Sequence, residues 1–222
     1  MGMVRQLFRR IVQPVLWTGY RWYLSKPRWY RHQGLRIRIL PTVFHPGLLI
    51  STKFLLNFAL AQDLAGKKVL ELGAGSGLIA LAVAKAGAQV TASDINPQSI
   101  QAIRESSTAN GLSLHLIESD LFQNIPPQTF DFIFINPPYY PQQAQNLQEQ
   151  AFYCGPNFEY FHQLFAQLPA YLAPSASCYM ILSEDCAINT IQDLAEQAGI
   201  DWQLAKQDKR LGELQFIFRL RN

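Results

Sequence analysis

Residues 69–77 read Val69-Leu70-Glu71-Leu72-Gly73-Ala74-Gly75-Ser76-Gly77. A short apolar run meets one acid, and glycine then takes every second position. The run Leu78-Ile79-Ala80-Leu81-Ala82-Val83-Ala84 follows at once and suits a helix. Strand, glycine loop and helix in that order form the opening unit of a doubly wound sheet. Glycine is needed because the chain reverses sharply and because a ligand can then approach the backbone without meeting a Cβ. The N–H groups of the following helix point at whatever the loop holds. The stretch predicts a nucleotide-type site at the carboxyl end of the sheet's first strand.

Outward from it, strands and helices alternate. Strand Lys68–Leu72 leads to helix Gly77–Ala86, then to strand Gln89–Ser93, which ends at Asp94. Helix Pro97–Asn110 places Pro97 at a favoured first-turn position. Strands are expected at Ser113–Glu118, Phe130–Ile135 and Ser177–Leu182, helices at Phe158–Leu172 and Cys186–Gly199, and a closing pair of strands at Gln203–Gln207 and Glu213–Leu220. This alternation argues for a parallel α/β sheet. The Gln/Asn stretch Gln142–Gln150 reads as a loop. Upstream, Leu35–Val43 alternates and reads as a strand with one solvated face, Phe44-His45-Pro46-Gly47 as a turn, and Leu49–Leu60 as a helix.

The 222 residues suit one domain with an extension, and 49% hydrophobic content excludes a disordered chain. The net charge of +3 is unevenly spread, since ten of the 19 basic residues precede the first acid, Asp63. Residues 63–222 hold nine basic and 16 acidic residues, a net of −7. An acidic body therefore carries a basic arm, which points to an anionic partner or a membrane surface. Within residues 3–24, Val4, Leu7, Phe8, Ile11, Val12, Val15 and Leu16 recur at helical spacing between Arg5, Arg9 and Arg10. Trp17, Tyr20, Trp22, Tyr23, Trp29 and Tyr30 add aromatics. Three readings of the arm stand: it packs on the body, docks a substrate, or lies on a membrane surface. Aromatics among arginines also suit single-stranded nucleic acid. Cys154, Cys178 and Cys186 show no metal spacing and read as free thiols. No run approaches the ~18 apolar residues of a spanning helix, and no export signal is visible, so the expected location is the cytoplasm.

Four features at strand ends carry chemistry. Beside the glycines sits Glu71, a carboxylate that needs partners if buried. Asp94 can accept from both ribose hydroxyls. Asp120 can accept from an adenine amino group. Asn136-Pro137-Pro138-Tyr139 follows the apolar strand Phe132-Ile133-Phe134-Ile135. Two prolines there fix an extended exit, remove two N–H donors and leave carbonyl acceptors. Asn136 adds a side-chain carbonyl, so two rigid acceptors can grip both hydrogens of a planar –NH₂ group, with Tyr139 stacked on its plane. His115 and His162 read as structural, and His45 lies near the expected pocket.

Glu71–Gly77, Asp94, Asp120 and Asn136–Tyr139 resemble the motifs of class I S-adenosylmethionine-dependent methyltransferases. The Asn-Pro-Pro-Tyr form is similar to the branch that methylates exocyclic amines of bases or the side-chain amide of glutamine. Val43-Phe44-His45-Pro46 with Thr52 and Leu55-Leu56 resembles the segment before the first motif in HemK-type release-factor glutamine methyltransferases. The resemblance implies a Rossmann-like, doubly wound seven-strand sheet, mostly parallel, whose antiparallel last strand would be Glu213–Leu220. It implies S-adenosyl-L-methionine as cofactor. Glu71, Gly73, Gly75, Gly77, Asp94, Ile95, Asp120, Leu121 and Asn136 would border that cofactor, and Asn136, Pro137 and Tyr139 would act in catalysis, with no metal.

The expected organisation is a basic, aromatic-rich extension over residues 1–43 and a methyltransferase domain over 44–222. The expected acceptor is a protein glutamine. Its rivals are an exocyclic amine of RNA or DNA, reached through the basic arm, and a small molecule. A non-catalytic module that keeps the fold is the reading from another class, which failure to bind the cofactor would favour.

Overall fold

The computed structural model describes residues 26–41, 43, 50–210 and 212–222, without the side chain of Arg210. The helix expected within 3–24, and the turn at 44–47 with His45, lie outside the described residues. The elements are β1 (Arg28–His32), β2 (Leu35–Ile39), α1 (Ile50–Ala59), β3 (Lys68–Leu72), α2 (Leu78–Lys85), β4 (Gln89–Asp94), α3 (Pro97–Asn110), β5 (His115–Glu118), β6 (Phe130–Ile135), α4 (Glu159–Gln167), β7 (Leu172–Ser183), α5 (Ile188–Gln197), β8 (Asp201–Arg210) and β9 (Glu213–Arg221).

Seven strands form one sheet in the order β5-β4-β3-β6-β7-β9-β8. β3 to β7 pair in parallel, and β9 runs antiparallel to both β7 and β8. The expected mostly parallel sheet with an antiparallel last strand is therefore present. The chain winds outward from β3 through β4 to β5, then returns to β6 on the other side of β3. That reversal makes β3/β6 the switch point, where ligands bind in such sheets.

Apolar side chains fill both faces of the sheet. On one face α1 and α2 bury Phe54, Leu55, Leu56, Leu78, Leu81 and Val83 against Val69, Phe134 and Ile181. On the other, Phe161, Leu164 and Phe165 of α4 and Ile191 of α5 pack on Ile133, Met180 and Leu182. α3 is stopped at both ends. The Asn96 side chain accepts from the Gln98 N–H at 3.0 Å at its start, and Gly111 closes it at φ 64°.

Several expected bounds shift. β1 carries Arg-Trp-Tyr-Arg-His, which has no aliphatic alternation to announce a strand. It forms by pairing with β2 through the turn Gln33–Gly34, both at positive φ (46° and 76°), as a type I′ hairpin turn requires. β2 ends at Ile39 instead of Val43, two residues before Pro41. The helix expected over Phe158–Leu172 stops at Gln167 and gives way to a 3-10 turn at Leu168–Tyr171. Pro169 has no N–H for an α-helical bond, so β7 begins at Leu172, well before Ser177.

β2 is stitched lengthwise to α3. The Arg36 N–H donates to Asn110 Oδ1 at 2.9 Å, Asn110 Nδ2 donates to the Arg36 carbonyl at 2.6 Å, and the Arg38 N–H donates to Ser106 Oγ at 2.7 Å. Two strand residues rise ~6.7 Å and four helical residues ~6 Å, so the two spacings match. Leu40 and Val43 then pack on Ala102, one further turn along. β2 thus climbs α3 from its C-terminal toward its N-terminal end, which is the carboxyl end of the parallel strands.

Candidate functional site

The register of three strands assembles the site. Leu72 of β3 pairs with Ser93 of β4 and with Ile135 of β6. The next residue on each strand is Gly73, Asp94 and Asn136, so the glycine loop is flanked by Asp94 on one side and Asn136 on the other. Glu118 pairs with Asp94, which puts Ser119-Asp120-Leu121 beyond Asp94 on the same edge. The four predicted features meet at one end of the sheet.

Glu71 is buried, and its Oε2 accepts the Ala80 N–H at 2.6 Å. Ala80 is the third residue of α2, so the carboxyl caps the helix start and ties it to β3. Burial pushes its pKa up to about 8, against the opposing bond from Ala80 and with the Asp94 carboxylate adding to the rise. The partner Glu71 needed is therefore the loop's own helix.

Asp94 is also buried. Its two oxygens accept the Gly75 N–H at 2.7 Å and the Asn96 N–H at 2.8 Å. Burial raises its pKa, while the bonds from Asn96, Gly75 and the Ser99 side chain pull it back. With the Ser99 hydroxyl also bonded to it, the carboxylate keeps one further lone pair for a ribose hydroxyl. Beside it Ile95 is 36% exposed, an apolar face at the mouth of the site. Asp120 is exposed, with its carboxylate 3.5 Å from Gln123 Nε2. Leu121 is buried at φ 46°, a strained conformation for leucine. The Ser119 hydroxyl holds it there by donating to the Leu121 carbonyl at 2.9 Å while accepting the Asn124 N–H at 3.0 Å.

Gly73 and Gly77 of the loop differ in kind. A Cβ on Gly73 would meet nothing within 4 Å, so Gly73 borders open space. A Cβ on Gly77 would fall 2.6 Å from Ile103 Cγ1. Gly77 is thus demanded by the packing of α3 against the loop, which alternate spacing alone does not reveal.

Half-buried Asn136 is held by α1. Its Nδ2 lies 3.3 Å from Thr52 Oγ1 and 3.4 Å from Ser51 Oγ. Its Oδ1 has no partner among the described residues. Pro137 is buried behind it. Tyr139 packs on the core, stands 4.7 Å from Tyr140 ring to ring, and hydrogen-bonds the side chains of Tyr140 and Ser183. Burial raises its pKa, so it stays a neutral phenol. The glutamine-rich loop folds back on this exit. The Tyr139 and Tyr140 N–H groups donate to the Phe152 carbonyl at 3.1 and 3.0 Å, and the Cys154 N–H donates to the Tyr140 carbonyl at 2.9 Å. Ser99 had no marked signal in the sequence, while Ser51 and the Gln/Asn stretch read only as a helix start and a loop; their partners lie far along the chain or on a turn that reads as ordinary.

All three cysteines are free and buried, and burial pushes the thiols of Cys154 and Cys186 up to about 11. Among the described residues no group of three or more His, Cys, Asp or Glu can hold a metal, and no helix is long and apolar enough to cross a membrane.

The family model described as the methyltransferase small domain matches residues 34–184. The chain belongs to that family. Its matched domain is a methyltransferase domain. A Methanocaldococcus jannaschii protein, provisionally named a protein N5-glutamine methyltransferase, is 36% identical over 110 residues, covering 49% of this chain and 53% of that protein. A release factor glutamine methyltransferase of Gloeobacter violaceus is 33% identical, covering 61% and 47%. A ribosomal RNA small subunit methyltransferase C of Alcanivorax borkumensis is 28% identical, covering 65% and 42%. The chain spans about half the length of these curated relatives. Among solved structures, the Thermus thermophilus 16S rRNA N2 G1207 methyltransferase in complex with AdoMet and guanosine shares the fold. Its TM-score is 0.67 at 23% identity, covering 89% of this chain and 50% of that one.

Proposed function

We propose that the protein methylates the side-chain amide nitrogen of a glutamine in a protein. Asn136 carries the reading. Ser51 and Thr52 hold its nitrogen, its carbonyl oxygen is left to accept, and it stands on the opposite side of the glycine loop from Asp94. The relatives named for glutamine methylation support an amide acceptor.

The residues fit the cofactor. Open space above Gly73, paired carboxylate oxygens on Asp94, exposed Ile95, and Asp120 with Leu121 offer an amino-acid end, a ribose end and an adenine end in order along the strand edge. When bound, S-adenosylmethionine supplies a methyl group activated by its sulfonium, and the electrons of the broken C–S bond remain on sulfur. The chain's own residues align the acceptor nitrogen for in-line displacement, an orientation worth ~7–11 kcal/mol at best. An amide nitrogen has its lone pair spread into the carbonyl. Asn136 Oδ1 and the Pro137 carbonyl accept its two hydrogens and draw them out of plane, which restores the lone pair and strengthens as positive charge develops on nitrogen. The proton then leaves to water, so no strong base is needed.

The test is Asn136→Ala. Turnover is expected to fall ~100-fold or more while calorimetric cofactor affinity is kept; equal loss of both would remove the role. The acceptor is identified with labelled cofactor and a cell extract separated into protein, RNA and small-molecule fractions. Label on glutamine in protein digests is expected, and label confined to RNA would overturn the glutamine reading.

A further inference from the structure

The outer face of the β1–β2 hairpin belongs to none of this chemistry. Leu35, Ile37 and Ile39 point into the core, so their neighbours Arg36 and Arg38, with Trp29 and Arg31 across the pair, share the opposite face. Trp29 is 42% exposed. The guanidinium carbons of Arg36 and Arg38 lie 5.0 and 5.3 Å from the centroid of its ring. Between Trp29 and α3 runs an open cleft of about 440 Å³ lined by Trp29, Arg104, Glu105, Thr108 and Ala109. Glu105 is already paired, 3.1 Å from Arg38 Nε. The face is pre-organised, because the bonds that stitch it to α3 come from the main chains of Arg36 and Arg38.

We propose that this face docks single-stranded RNA, whichever nitrogen the enzyme methylates. Three observations select that occupant. The charge is segregated: four arginines stand here beside one paired acid, the chain before Arg28 carries basic residues and no acid, and residues 63–222 are net −7. A polyanion is therefore drawn to this face and repelled by the rest. An indole with two guanidiniums within cation–π distance offers flat surfaces on which unpaired bases stack. Among the described residues, the remaining exposed large apolar side chains, Ile95, Tyr140, Leu147 and Leu204, all lie outside the hairpin, so a membrane would gain little more than one ring from this face. An acidic peptide would meet the charges and leave the aromatic platform unused.

The experiment is fluorescence anisotropy of the full chain with a short labelled oligouridylate, across a salt series, for wild type and variants. Arg31→Ala/Arg36→Ala/Arg104→Ala is expected to flatten the log–log salt slope by ~2, at ~0.7 for each phosphate no longer neutralised. Trp29→Leu keeps an apolar cover for the hairpin but removes the stacking ring, and is expected to weaken binding about 5- to 150-fold. Lys68→Ala/Lys209→Ala, on exposed positions elsewhere, is the control and is expected to change little. Cofactor affinity by calorimetry, the same in all variants, shows that each is folded. Loss of methyl transfer with RNA binding kept would bear on the acceptor reading alone. RNA binding unchanged by the hairpin variants, equally reduced by the lysine control, or absent while Trp29-dependent binding to phosphatidylserine vesicles appears would each overturn the proposal.

Discussion

Gly77→Ala separates the glycine that the fold needs from the glycine that a ligand needs. Gly77 sits at φ +69°, where a side chain costs ~1–2 kcal/mol. Its new Cβ would also lie 2.6 Å from Ile103 Cγ1 and 3.1 Å from both Cδ1 and Cγ2. Ile103, on α3, is wholly buried against the loop, so it cannot swing into water, and overpacking of this kind costs ~1–3 kcal/mol. Together the loss is ~2–5 kcal/mol, and at about 2–4 °C per kcal/mol for a chain of this size the melting temperature falls ~4–20 °C. Urea and thermal unfolding measure it. Combining the change with Ile103→Ala removes the clash, so the double variant should be ~1–3 kcal/mol more stable than the two single losses predict. Gly73→Ala at φ +70° meets nothing within 4 Å. It should lose only the ~1–2 kcal/mol of backbone strain, yet weaken cofactor binding measured by calorimetry. Additive losses at Gly77 and Ile103, or a Gly73→Ala variant with full cofactor affinity, would refute this division of the loop.

Three further outcomes follow from the site. Asp94→Ala strips the acceptor from the Gly75 and Asn96 N–H groups and is expected chiefly to weaken cofactor binding; unchanged calorimetric affinity would exclude a ribose role. Thr52→Val deletes a hydroxyl 3.3 Å from Asn136 Nδ2 and should lower kcat ~2- to 10-fold, the worth of one hydrogen bond, with cofactor affinity kept. An equal fall in both would place Thr52 outside acceptor orientation. Glu71 gives a pH signature. Unfolded, its carboxyl ionises near 4.5; folded, burial holds the proton until about 8. Its contribution to stability is therefore full below pH 4.5 and is lost as pH rises to about 8, by ~5 kcal/mol. Glu71→Gln stays neutral, so its melting temperature should gain on wild type across that interval, and a gap that does not change with pH would disprove the buried acid.

The parallel strands and the glycine loop were legible because their signals are local: an apolar run, a turn residue, a helical period. β1 was not, since Arg-Trp-Tyr-Arg-His becomes a strand only by pairing with β2. Pro169 marked where α4 must stop, but the helical pattern around it masked the early start of β7. The candidate residues were legible one by one, as strand-end acids and an amide. Their arrangement depends on the register of Leu72 with both Ser93 and Ile135, which no local pattern encodes. Asn136 and Thr52 are 84 residues apart, and Gly73 and Gly77 look alike in sequence although one borders space and the other a packed isoleucine.

That division explains how one loop can serve different acceptors. The side proposed for the cofactor is built by β3, β4 and β5, through Glu71, Asp94 and the strained Leu121, and its hydrogen bonds are short-range or set by adjacent strands. The side proposed for the acceptor is built by β6 together with parts remote in sequence: α1, which holds Asn136, and the loop after Tyr139, which folds back through the Phe152 carbonyl. β2 joins the two sides, climbing α3 from Asn110 to Ala102 toward the end of the sheet where α1 meets Asn136. Changes in α1, in that loop or on the hairpin's outer face can alter what is presented to Asn136 without disturbing a single hydrogen bond to Asp94. Relatives named for glutamine and for ribosomal RNA can therefore share the donor half of this fold, and the acceptor must be sought in the elements that the glycine loop does not touch.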